Sequence, residues 1–178
     1  ADSALFVSLD GVNGLWRYMP STGTWAPVER FLTNACVTAL GLSRDSASIS
    51  TILAGTADGR IGIVTERGTV LDSGARTHGG TIHAFAATPA AIDVACDSGI
   101  LHATMPLHAT WYPLQLRQSE RPVLDIAACT GGLVYVTPTG VYTESSNGAT
   151  VTALHAPVTA FAVFATKGLI VVGPDGVA

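Results

Sequence analysis

Two aspartates stand where a carboxylate could act: Asp125 inside the run "VLDIAA" and Asp93 inside "AIDVACD". Glycoside hydrolysis needs two such groups facing each other across one bond. Asp125 reads first as a polar residue hydrated within a channel and otherwise as a contact to a ligand or ion, and Asp93 is the second candidate. His83, in "TIHAFA", holds the place that Thr38, Leu124 and Thr159 hold in similar segments. The remaining histidines (His78, His102, His108 and His155) make no HxH or HExxH spacing, so metal binding is not expected. Trp16, Tyr18 and Tyr112 could stack on sugar rings, or pack between structural units. There is no GxSxG, P-loop or GxGxxG, and the Gly-Gly of "THGGTIHAF" reads as a turn. No cofactor and no catalytic activity are expected.

The elements that must position these residues are built from an unusual composition. Hydrophobic residues make up 48% of the 178 and charged residues 12%, against a usual charged share of about 25%. Mean hydropathy is +0.40 and the isoelectric point about 5.6. Two readings fit: a Gly- and Ala-rich β protein with most strands covered on both faces, or a subunit docked in a larger assembly. The net charge of −4 and the single lysine, Lys167, argue against a nucleic-acid partner, which needs clustered cations. The longest apolar stretch, "VTAFAVFATKGLIVVG", is interrupted by Lys167 and is too short for a membrane-spanning helix. Cys36, Cys96 and Cys129 have neither paired nor CxxC spacing, so buried free thiols are expected. The start at Ala1 fits either a processed chain or an excised one. The compartment stays open, an extracytoplasmic or lumenal one being favoured.

A repeat organises the whole chain. "YMPSTGTWAPV" from Tyr18 returns as "TMPLHATWYPL" from Thr104, an offset of 86 residues counted from Leu15 to Leu101. The core of that motif occurs at Gly23-Thr24-Trp25, Gly68-Thr69-Val70, Ala109-Thr110-Trp111 and Ala149-Thr150-Val151, spaced 45, 41 and 40 residues apart. Turn signals ("LDGVNG", "ADG", "DSG", "PTG", "PDG") and the β-branched segments "VTAL", "IHAF", "VLDI" and "VTAF" keep the same rhythm. The runs between them are short, rich in Val, Ile and Thr, and bounded by Gly, Asp and Pro, which predicts strands. Four short strands per unit of about 40 residues predict an all-β fold, a β-propeller of four-stranded blades. A β-sandwich is the rival, but it needs no recurring turn at constant period. The Asp-Gly signals are expected in hairpins between second and third strands, as turn chemistry rather than catalysis. Trp25 and Trp111 are expected to be largely buried between blades.

The segments "GLWRYMPSTGTWAPV", "GILHATMPLHATWYPL" and "GVYTESSNGATVTAL", and more loosely "GRIGIVTERGTVLDSG", resemble the Asp-box, or BNR, repeat of sialidase-like propellers. The box aspartate is replaced by Pro20, Pro106 and Ser146. Sialidase chemistry, as the resemblance implies it, needs an arginine triad, an acid/base Asp and a Glu-activated Tyr. No arginine stands in the family's Arg-Ile-Pro setting, and Glu66 and Glu144 are expected in hairpins remote from a central pocket. In character the chain is similar to the photosystem II stability/assembly factor branch. The resemblance thus implies a non-catalytic protein-binding or assembly subunit. A glycan-binding or glycoside-hydrolase lobe is the alternative.

Strand accounting gives about four and a third blades in one domain or part of one: units 1–35 (partial), 36–78, 79–118, 119–156 and 157–178 (partial). Both ends carry second-strand character, so simple self-closure leaves a strand redundant. A protein partner, a second chain or further residues are expected to complete the ring, a homo-oligomer being one form of this.

Overall fold

The computed structural model describes residues 4–9, 12–28, 32, 35–44, 50–65, 67–104, 115–118, 121–129, 131–145, 150–154, 160–164, 168–173 and 176–177. These residues contain strands and turns but no helix. The first sheet holds β1 (Leu5–Leu9), β2 (Val12–Met19) and β3 (Thr24–Pro27). The second holds β4 (Val37–Arg44), β5 (Ser50–Thr56), β6 (Arg60–Thr65) and β7 (Val70–Arg76). In the third are β8 (Ile82–Ala87), β9 (Ala91–Cys96), β10 (Gly99–Thr104) and β11 (Gln115–Gln118). The fourth contains β12 (Asp125–Cys129), β13 (Gly132–Thr137), β14 (Gly140–Ser145) and β15 (Thr150–Leu154), and the fifth β16 (Ala160–Phe164), β17 (Gly168–Gly173) and β18 (Gly176–Val177). Each sheet is an antiparallel meander in chain order. That excludes a sandwich, in which strands from distant segments share a sheet. The fold is all-β and of the propeller type.

Turn chemistry fixes the registers. Asp97-Ser98 and Pro138-Thr139 are two-residue connections, closing the pairs Cys96↔Gly99 and Thr137↔Gly140. Between β5 and β6, Gly59 takes a φ of +78°, a region costly for any residue with a Cβ. The Gly-Thr motifs stand in equivalent places: Gly23 precedes β3 and Gly68 precedes β7, both at positive φ.

Three apolar clusters lie between successive sheets. Leu15, Val28, Val37 and Val64 join the first to the second, and Leu53, Ile61, Ile82 and Ile92 the second to the third. Ala95, Ile100, Ile126 and Tyr135 join the third to the fourth. A central strand must therefore be apolar on both faces: every residue of Ile92–Cys96 and of Leu133–Thr137 is buried. This accounts for the low charge content, because there are few solvent-facing strand positions to fill. Strands β4 and β8 also touch directly, through Thr38 Oγ1 donating to the Ile82 carbonyl at 2.6 Å. Strand β8 further contacts β12, and β12 contacts β16, so the leading strands of four sheets stand side by side.

The first sheet differs. Its first strand, β1, has no inner neighbour in the sheet, and β4 is left partly uncovered. At the positions where β8 packs Phe85 and Ala87 onto the second sheet, β4 presents Leu40 and Leu42 to solvent, 38% and 53% exposed. Among the described residues, the first and fifth sheets share no more than isolated contacts.

Candidate functional site

The two candidate carboxylates do not face each other. Asp93 lies on β9, a second strand, directly opposite His102 on β10. Its Oδ1 is 2.8 Å from His102 Nδ1, with 5% of the Asp93 side chain exposed and 29% of the His102 side chain. Asp93 shares a face with Ala95 and looks toward the fourth sheet. Asp125 opens β12, where Ile126 and Ala128 take the face toward the third sheet. Alternation turns Asp125 the other way. The half-buried Asp125 carboxyl accepts the Ile126 N–H at 2.8 Å, and burial outweighs this bond to push its pKa up. Paired-carboxylate hydrolysis therefore has no geometry here. His102 was the missed partner of Asp93. A two-residue turn at Asp97-Ser98 already places 93 opposite 102, so the hairpin register was the signal.

His83 is a fastener. Its Nε2 lies 2.8 Å from Asp97 Oδ1, while Asp97 Oδ2 accepts the Thr81 N–H at 2.8 Å. The turn between β9 and β10 is thus tied to the chain entering β8. The His83 bond is the main influence holding the Asp97 carboxyl below its ordinary range. In the second sheet the turn between β5 and β6 is held by its own residues and by the chain that leads on to β8. Asp58 accepts from Thr56 Oγ1 at 2.7 Å and pairs with Arg60 at 2.9 Å, and Thr77 Oγ1 donates to the Gly59 carbonyl at 3.0 Å. Thr56 is the main influence lowering the Asp58 pKa. Both Asp-Gly-type signals are turn chemistry, as the sequence indicates.

The aromatic residues sit differently from expectation. Tyr18 on β2 opposes Trp25 on β3, with ring centroids 4.9 Å apart and planes at 38°. Trp25 is 50% exposed, not buried. The cause is strand alternation: Leu15 and Val28 face the second sheet, so Trp16, Tyr18 and Trp25 share the opposite face, which no described sheet covers. Trp16 is half-buried, while Trp111 and Tyr112 lie outside the described residues. Glu144 is not in a hairpin but in β14, buried opposite Leu133. Cys36, Cys96 and Cys129 are free thiols, and of these Cys96 alone is buried. Among the described residues, no group of three or more His, Cys, Asp or Glu is placed to hold a metal ion.

No protein-family model matches the chain, and no curated protein matches it in sequence. Solved structures do. A chain of the mitotic checkpoint complex superposes with a TM-score of 0.72 at 15% identity, over 96% of this chain and 53% of that one. The β-propeller domain of Myceliophteria thermophila Cps50 (Swd1) gives 0.69 at 15% identity, over 98% and 64%. The Neurospora crassa Pan2 WD40 domain gives 0.67 at 14%, over 95% and 56%. At such identity the likeness establishes a β-propeller fold. The chain spans between 53% and 64% of the length of these structures.

Proposed function

We propose that this chain is a non-catalytic propeller module that binds protein and serves as a scaffold or assembly subunit. The observation that carries the reading is the solvent-open row of Leu40 and Leu42 on β4, beside a first sheet that has no inner strand among the described residues. The equivalent residues one sheet later, Phe85 and Ala87, are partly buried against the second sheet, so the row is a less filled version of an interface the chain makes elsewhere. Apolar side chains repeated along one strand are suited to a protein surface rather than to water. Residence of one structural neighbour in the mitotic checkpoint complex agrees with the reading.

In finer detail, we read the chain as a degenerate Asp-box propeller of the assembly-factor kind, with blade units at the boundaries given above. Strands from a partner, a second copy or further residues of the protein would complete the ring. Trp16 and Tyr18 are then contacts on the open face of the first sheet, Asp125 is a polar residue among the leading strands, and Asp93 and His83 hold the scaffold together. The test is affinity capture from the native source with the parent chain and a Leu40→Glu/Leu42→Glu variant. One defined polypeptide at fixed stoichiometry, lost in a variant of unchanged thermal stability, is expected. Equal capture by both chains would overturn the assignment of the surface.

A second reading, glycan binding, draws on the half-exposed Trp25 packed beside Tyr18, since a flat ring open to solvent can stack on a sugar. A glycan array separates the two: a specific sugar signal abolished by Trp25→Ala would favour this reading over the scaffold.

A further inference from the structure

The first and second sheets leave a cleft of about 500 Å³ on the side where β3 ends its sheet. Two guanidinium groups line it, Arg17 from β2 and Arg67 from the turn between β6 and β7, and its apolar wall is Pro27, Val28 and Val70. No carboxylate lines it among the described residues. The β6–β7 turn lies close against the Arg17 stem: a Cβ at Gly68 would stand 3.3 Å from Arg17 Cδ, and the Gly68 φ is +86°. This contact removes Arg17 Nε from water, and the buried Nε has no hydrogen-bond partner among the described residues.

A desolvated donor on a permanently charged group is costly unless an acceptor reaches it. A second guanidinium in the same cleft adds repulsion between like charges. An anion in the cleft offsets the repulsion and part of the cost of holding a poorly hydrated charge. The whole chain carries −4, so its overall field does not draw anions, and any preference must arise within the cleft. We propose that this cleft receives a carboxylate side chain from an extended acidic segment of a protein partner, with an aliphatic neighbour on the Pro27–Val28–Val70 wall. The carboxylate pairs with the guanidinium groups of Arg17 and Arg67 that line the cleft, an arrangement in which charge-assisted bonds are short and strong. The aliphatic wall and the open end beside edge strand β3 suit a peptide better than a free inorganic anion. This inference rests on the protein-binding reading above and names the chemistry of one contact.

The test uses fluorescent short peptides of alternating Glu and Val, with a Gln-Val peptide of the same length as the neutral match, read by anisotropy on the full chain. The Glu-Val peptide should bind about tenfold more tightly than the Gln-Val peptide, and Arg67→Gln and Arg17→Gln should each remove about that factor. Binding should weaken with added salt. Arg17→Lys should also lose affinity, because it keeps the charge but not the planar guanidinium fork. Should Arg17→Gln unfold, Arg67→Gln carries the test, since Arg67 is an exposed turn residue. Equal binding of both peptides, an unchanged Arg67→Gln, or inorganic phosphate competing as strongly as the Glu-Val peptide would overturn the proposal. Loss of partner capture in the Leu40/Leu42 variant is a separate readout, so failure of the cleft and failure of the scaffold reading are distinguishable.

Discussion

At Asp125, burial and one backbone donor act in opposite directions on a single carboxyl group, and burial is the larger influence. A raised pKa means the folded chain binds the proton more tightly than the unfolded one. The resulting stability is fully present below the unfolded value and is lost as pH rises through the folded value. Asp125→Asn keeps an acceptor for the Ile126 N–H and removes the charge. It should therefore be more stable than the parent near neutral pH, the gain vanishing below the ordinary aspartate pKa of about 3.9. Urea midpoints at the two pH values check this; a neutral-pH loss would mean that the carboxylate has a stabilising partner. Asp97 and Asp58 have the opposite sign, since their lowered pKa values give stability present above the unfolded value and lost as pH falls through the folded one. Their turn roles were legible because Asp-Gly chemistry is local. The His83–Asp97 tie was not, since it joins a strand to the turn beyond the next strand. Trp25 is the reverse case. The Thr-Trp motif gives its place in the hairpin, but not whether that face has a neighbour. Trp25→Ala should shift the chemical-denaturation midpoint by no more than about 1 kcal/mol equivalent, as for other exposed positions. A loss of about 3–5 kcal/mol, the range for a buried Trp, would show that the face is covered.

Strands β4, β5 and β8 meet where glycine makes room. A Cβ at Gly41 would lie 2.7 Å from Phe85 Cβ, and one at Gly55 would overlap the Ile82 side chain. Neither position can give way cheaply, because the contacting atoms sit at the base of side chains locked in the second cluster. Gly41→Val should cost about 1–3 kcal/mol by overpacking, and Ile82→Ala about 2–5 kcal/mol by leaving a cavity. Guanidinium denaturation measures both; a neutral Gly41→Val would mean that the second and third sheets separate more easily than their packing indicates. The strands themselves were readable from the sequence, because three sets of markers share one period and each meander closes locally. Which glycines are turns and which are close approaches was not. "VTALGLS" and "TILAGTA" show no sign that a neighbouring sheet rests on their glycines, since that information lies in packing between repeats.

Across the whole molecule, the same repeat position appears in two environments, which makes an internal control. Phe85 on β8 packs against the second sheet, whereas Leu40, one repeat earlier, is 38% exposed beside a first sheet with no inner strand among the described residues. Leu42 corresponds to Ala87 in the same way and is 53% exposed. A charge at the partly buried Phe85 position gives up part of its hydration and the apolar packing onto the second sheet, which is destabilising. At the open position it remains in water and removes apolar surface that would otherwise associate. Phe85→Lys should therefore lower the thermal midpoint clearly. Leu42→Lys should leave the isolated chain within about 0.5 kcal/mol of the parent, while suppressing association in sedimentation velocity and capture of a partner. If Leu42→Lys instead destabilised the isolated chain as severely as Phe85→Lys, β4 would already be covered, and the interaction surface would have to be sought on the aromatic face of the first sheet.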